Sequence, residues 1–198
     1  VPLGVGSEGP IHLSDSDWKD LIKKGAVWAC EHGFGDEFDL EFIESNGRME
    51  ASGYGVSMKA KDRARNQLGT LGSGNHFLEV SVVDEVYDEK IASVFGLDKD
   101  RVCVMIHTGS RGFGHQIATE YTSLMIKVSQ KYGIKLYDKE LASAPFNSEE
   151  GRRYFDSMSA AANFAWANRQ ILKAFTEKAL MKSLSISKNA LGLSTVYD

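Results

Sequence analysis

Two histidines stand where chemistry is most easily built. His76 follows the run Gly69-Thr70-Leu71-Gly72-Ser73-Gly74-Asn75 and leads into an apolar stretch. His107 closes the apolar run 102–106 and leads into Thr108-Gly109-Ser110-Arg111-Gly112-Phe113-Gly114. Neutral imidazole is the commonest protein ligand for transition metals, and loops at strand ends are where ligand sites are usually placed. Taken singly, each is more simply a strand-end histidine with ordinary partners. Two in the same context point to a shared site.

The second loop has the makings of a phosphate site. Backbone N–H groups at its glycines, the hydroxyls of Thr108 and Ser110, and a helix N-terminus just beyond all favour an anion. Arg111 can give bidentate hydrogen bonds to phosphate oxygens. A turn that merely caps the next helix is an equal alternative. Glu79 shares a strand face with Asn75 and Phe77 if alternation runs from residue 75; a carboxylate and an amide there suit a nucleotide, or simply a polar strand edge. Lys59, Lys61, Arg63 and Arg65 form a basic cluster that fits RNA phosphates or, more simply, a solvated helix.

The remaining candidates are weaker. Cys30-x-His32 is one pair of ligand types, short of the four that structural zinc needs. Cys103 reads as a small buried residue, and His12 and His115 receive no role. The rings of Trp28, Phe164 and Trp166 read as core.

Ordinary elements must position these residues. Ser14 to Asp17 offer N-cap side chains for a helix through Trp18, Leu21, Ile22, Ala26 and Ala29. The acidic segment 31–50 reads as a surface loop with short helical turns. Leu78, Val80 and Val82 alternate as in a strand. The continuous run 102–106 predicts a buried central strand. Ile117, Tyr121, Leu124, Met125, Val128 and Tyr132 recur at helical spacing, and Gly133 stops that helix. A longer helix is predicted over about 148–182, with a stripe of Met158, Ala162, Ala165, Leu172, Phe175 and Ala179. Strands first and helices later give an α+β class: a mixed sheet core in 1–115 with an appended helical subdomain in 116–182.

Composition bounds the partners. The chain has 198 residues, 42% hydrophobic and 25% charged, with a net charge of −4, so an RNA partner must meet a local basic site rather than a basic surface. Two cysteines build no disulfide framework and fit a reducing compartment. With no apolar run of about 18 residues and no leader-like start, a cytoplasmic location and no membrane partner are expected. The chain opens at Val1 without methionine, consistent with a fragment.

The segments QLGTLGSGNHFLEV (67–80) and IHTGSRGFGHQ (106–116) resemble two signature stretches of the RtcB RNA ligase family. The opening VPLGVGS and AANFAWANRQ (161–170) are similar to further stretches of that family, in the same order. The resemblance implies a GTP- and manganese-dependent ligase that joins RNA 3′-phosphate or 2′,3′-cyclic-phosphate ends to 5′-hydroxyl ends, in tRNA splicing or RNA repair. Carried over by motif, His76 binds one of two Mn2+ ions and His107 the other. Asn75 contacts the nucleotide phosphates, Glu79 the nucleotide, and Arg111 an RNA phosphate. The family's Asp-x-Gly-Cys-Gly segment has no counterpart here. The resemblance places the third metal histidine and the guanylylated histidine beyond Asp198. No catalytic nucleophile is therefore expected in this chain, which alone is expected not to ligate. It is read as the central portion of a ligase, with the remainder as a second chain and an archease-like activator as possible partners. The alternative is a non-catalytic RNA-binding or scaffold module that kept the fold.

Overall fold

The computed structural model describes residues 1–4 and 6–191. Helix α1 (Asp15–Lys24) starts at a reciprocal cap: Ser14 Oγ accepts the Asp17 N–H, and the Asp17 carboxylate accepts the Ser14 N–H, both at 3.1 Å. Its buried face is Trp18, Leu21 and Ile22, at the i, i+3, i+4 spacing of an amphipathic helix. The expected single helix through Ala29 is in fact two. Gly25 sits at φ 57°, where a Cβ would collide with the Gly47 carbonyl oxygen, and α2 (Ala26–Glu31) sets off in a new direction. The acidic segment forms two 3-10 turns, Glu37–Phe42 and Glu44–Gly47, as its composition suggests.

Helix α3 (Met58–Ala64) precedes strand β1 (Phe77–Val82). The short helix α4 (Glu89–Val94) leads to strand β2 (Val102–His107). Helix α5 (Arg111–Lys131) follows at once, then α6 (Glu149–Leu184), 36 residues long, and the short α7 (Lys188–Leu191). Ser148 Oγ accepts the Gly151 N–H to cap α6, and Glu149 and Glu150 complement its positive end. Helices α1, α2 and α5 all pack on α6, and α3 packs on α5. Trp18, Leu21, Phe113, Ile117, Tyr121, Phe164 and Ile171 share one core cluster. Residues from both sides of position 115 thus build one helical core.

The α+β class stands, but two expectations are corrected. Strand β2 is not central and buried: among the described residues it pairs only with β1, antiparallel, and Val102 and Met105 are 62% and 55% exposed. The sheet is a two-stranded ribbon, not a mixed core. The register puts Leu78, Val80, Val82, Val102, Val104 and Ile106 on one face and Phe77, Glu79, Ser81, Cys103, Met105 and His107 on the other. Exposed residues lie on both faces, Val80, Val82 and Val102 on the first and Glu79, Met105 and His107 on the second, so the apolar run belongs to an open ribbon rather than to a covered strand. The expected stripe of α6 holds at Leu172, fully buried, and at Phe175, packed on the core, but Met158, Ala162 and Ala165 are only half-buried and Ala179 is exposed. The deepest line of α6 is Ala160, Asn163, Phe164, Ala167, Asn168 and Ile171, all at 0% exposure.

Candidate functional site

The ribbon brings the two histidines to one end. Phe77 pairs with His107, and their rings stack at 5.1 Å with an interplanar angle of 29°. His76 is one residue before Phe77, so both imidazoles stand at the mouth of the ribbon where the two glycine-rich loops begin. His76 Nδ1 lies 2.9 Å from Thr108 Oγ1. Burial, then the nearby charges of Arg111 and His107, hold the His76 pKa below its ordinary value, which favours the neutral imidazole that binds metals. With the proton on Nδ1 donated to Thr108, the lone pair stays on Nε2. Metal-binding histidines are commonly fixed in this manner.

Arg111 begins α5 in the left-handed region, at φ 55°, a conformation that costs a non-glycine residue energy and needs surrounding structure to hold it. Two contacts supply this: Nε donates to Thr70 Oγ1 at 2.9 Å, and Nη2 donates to the Gly4 carbonyl at 3.0 Å. These use two of its five N–H donors. Burial depresses its pKa from the ordinary arginine value. Gly72 lies directly against this pair. A Cβ there would strike Arg111 Nη1 and sit 2.6 Å from His76 Cγ, so the first loop can pass over both side chains only as glycine.

The loops are locked to each other and to the N-terminal segment. Gln67 Oε1 accepts the Gly112 N–H at 2.8 Å, capping the start of α5 from the first loop. Leu71 N donates to Pro2 O at 3.0 Å and Gly4 N to Leu71 O at 3.2 Å. From α6, Asn168 bonds the backbone of Gly69, Thr70 and Gly109, and Arg169 Nη1 donates to Thr108 O at 3.1 Å. The sequence marks Thr108 only as an anion-binding hydroxyl, not as the partner of His76, and gives Gln67, Thr70 and Asn168 no role of their own.

Asn75 is exposed in the first loop beside His76, and Glu79 is exposed on the ribbon face that carries His107. Among the described residues no three His, Cys, Asp or Glu side chains gather around one point.

The other candidates resolve into structural contacts. Lys61 and Arg65 converge on Asp15 at 3.0 and 2.6 Å. Arg63 donates to Gln116 Oε1 at 3.1 Å and lies 3.5 Å from His115 Nδ1; Lys59 is exposed. Cys30 and His32 are engaged separately. His32 stacks on Trp28 at 4.0 Å with Nδ1 2.8 Å from Trp28 O, while burial and then the Asp39 charge push the Cys30 thiol up to about 11. A thiol held protonated is a poor ligand. Trp28, Phe164 and Trp166 are core residues, at 3%, 0% and 5% exposure. No helix among the described residues is long and apolar enough to cross a membrane.

Comparison with known proteins places this arrangement. The family model described as tRNA-splicing ligase RtcB matches residues 1–198. A tRNA-splicing ligase RtcB of Archaeoglobus fulgidus is 51% identical over 199 residues, which cover 100% of this chain and 41% of that protein. The one of Pyrococcus abyssi is 50% identical with 22% of its length covered, and that of Methanocaldococcus jannaschii 48% identical with 21% covered. The chain thus spans about two fifths or less of these relatives, its four motif segments meet around Arg111 and Thr70, and it belongs to the RtcB family.

Proposed function

We propose that this chain forms part of a GTP- and Mn2+-dependent RNA ligase that joins a 3′-phosphate or 2′,3′-cyclic-phosphate end to a 5′-hydroxyl end, acting with the rest of a full-length enzyme. The observation that carries the reading is convergence. Segments 1–7, 67–80, 106–116 and 161–170 are far apart in sequence, yet they are tied by the Arg111–Gly4, Arg111–Thr70, Gln67–Gly112 and Asn168–Gly109 hydrogen bonds.

In this reading His76 Nε2 and His107 each contribute one ligand to a two-ion site. Bound manganese would supply positive charge to phosphoryl oxygens during transfer. Asn75 and Glu79 hold the nucleotide, and Arg111 orients the RNA phosphate with the donors that Thr70 and Gly4 do not use. In the joining step the 5′-hydroxyl oxygen bonds to the 3′ phosphorus, GMP departs with the electrons of the broken bond, and the hydroxyl proton passes to a base or to solvent. The Thr108 hydroxyl engages His76 Nδ1 and so orients the ring, leaving Nε2 as the nitrogen for the ion.

The test uses a full-length relative. Alanine at the histidine matching His76 or His107 is expected to abolish manganese-dependent guanylylation and joining, and alanine at the arginine matching Arg111 to harm joining more than guanylylation. Joining that survives the His107 change would refute the metal assignment. The present chain, incubated with labelled GTP and manganese, is expected to carry no label through denaturation.

A further inference from the structure

We infer that Asn168 is a positioning residue that fixes the spacing of the two site loops, so that helix α6 sets where His76 and Arg111 stand; the inference rests on the function proposed above. Asn168 is fully buried, and its amide is saturated. Oδ1 accepts from Gly69 N at 2.8 Å and Thr70 N at 3.3 Å, while Nδ2 donates to Thr70 O and Gly109 O, both at 3.2 Å. An asparagine amide offers two donors and one two-lone-pair acceptor, and here one side of it holds the first loop while the other reaches across to the second. The two routes then run outward to the chemistry. Thr70 accepts Arg111 Nε, and Gly109 adjoins Thr108, which contacts His76 Nδ1.

The first loop is also pressed flat on α6. Gly69 has φ 75°, and a Cβ there would lie 3.2 Å from Ile171 Cγ2 and 3.1 Å from Phe175 Cε2. Arg169, the next residue, holds the Thr108 carbonyl. The helix therefore presents neighbouring side chains to both loops. Asn163, five residues earlier, provides the contrast. It too is fully buried and fully bonded, to Met49 N, Ile22 O and Met49 O at 2.8, 2.6 and 2.8 Å. Those partners belong to the scaffold, far from the loops in the bonding network.

This pair makes the experiment. Asn163→Ala and Asn168→Ala each delete a buried, saturated amide, so both are expected to lower the melting temperature of this chain. Only Asn168→Ala is expected to release the Gly69 and Thr70 amides, with hydrogen exchange at least about tenfold faster than in the Asn163→Ala variant under the same conditions. At the matching positions of the full-length Archaeoglobus fulgidus relative, assayed well below melting, Asn168→Ala is expected to lower manganese affinity and joining kcat about 10- to 100-fold, because a shift of the loops misplaces the groups they carry. Asn163→Ala is expected to leave both within about twofold. Asn168→Asp sets a second oxygen against the Thr70 and Gly109 carbonyls, so it is expected to lose the tie between the loops and to lower manganese affinity and kcat as Asn168→Ala does. If Asn168→Ala matches Asn163→Ala in exchange, manganese affinity and kcat, the positioning role is overturned. A wild-type relative that binds manganese but does not join RNA would instead overturn the proposed function, and the exchange and manganese measurements would still decide the role of Asn168.

Discussion

His76 Nδ1 and Thr108 Oγ1 face each other at 2.9 Å across the two site loops. Thr108 is 8% exposed, so this contact is shielded from competing water. Removing the hydroxyl while keeping the shape isolates its effect. Thr108→Val in a full-length relative is expected to weaken manganese binding about 10- to 100-fold, with Thr108→Ser close to wild type. Calorimetric titration with manganese checks this. Unchanged affinity in the valine variant would mean that His76 is not oriented through Nδ1.

Gly72 makes a different demand, on space rather than on bonding. The Cβ of Gly72→Ala would contact both Arg111 Nη1 and His76 Cγ, so one of the two functional side chains must move. The expected result is loss of joining by at least about tenfold, with a shift in melting temperature small enough that the protein stays folded at the assay temperature. Gly74→Ala is the companion variant. A Cβ there meets nothing within 4 Å, although its φ of 73° carries strain of its own. If Gly74→Ala proved the more damaging to joining, steric crowding at Gly72 would not be the governing feature.

Legibility in the sequence followed the kind of physics involved. The two loops could be read because histidine, arginine and glycine occur together at the ends of strand-like runs. The pairing of β1 with β2 then brought both runs to one mouth. What could not be read was depth. Residues 102–106 looked buried because every one of them is apolar, whereas the two-stranded ribbon leaves residues exposed on both of its faces, Val102 as well as Met105. The interior line of α6 was hidden for the opposite reason. Asn163 and Asn168 occupy its centre, and a hydropathy pattern assigns asparagine to the outside. Thr70 escaped notice, and Thr108 read as an anion donor rather than a partner of His76, because a loop threonine ordinarily serves only its own turn.

Stability measurements separate ribbon from core. Val80 is 55% exposed, and Ile171 is 0% exposed within the main cluster. Val80→Thr is expected to cost no more than about 0.5 kcal/mol, and Ile171→Ala about 2–5 kcal/mol through lost contacts and the cavity left behind. Urea unfolding at neutral pH reads both. A loss above about 2 kcal/mol for Val80→Thr would show that the apolar ribbon face is covered.

The last prediction concerns pH and lies away from the site. Asp39, 6% exposed, receives Lys173 Nζ at 3.0 Å on each oxygen and Gln170 Nε2 at 2.7 Å, and Lys173 also meets Glu177 at 2.8 Å. Burial alone would raise the Asp39 pKa, but the hydrogen bonds from Lys173 and Gln170 outweigh it and hold the carboxyl below its ordinary value. Burial would likewise lower the Lys173 pKa, and its bonds to Glu177 and Asp39 hold it above the usual lysine value. The folded carboxyl thus ionises more readily than the unfolded one. Its contribution is present above the unfolded aspartate pKa of about 3.9 and is lost as pH falls through the lower folded value. The lysine contribution is present below about 10.4 and is lost only as pH rises through the raised folded value. Both are intact at neutral pH. Lys173→Met, which removes the Lys173 ammonium from the buried Asp39 carboxylate, is expected to cost about 2 kcal/mol at pH 7, less than for a fully buried pair because Lys173 is partly exposed. The cost shrinks as the medium is taken below pH ~3.9, where Asp39 begins to protonate in the variant and the unfolded chain before the folded parent. Urea unfolding of parent and variant at neutral and acid pH measures the difference. An equal gap at both would show that the lysine stabilises by packing its methylenes rather than by its charge.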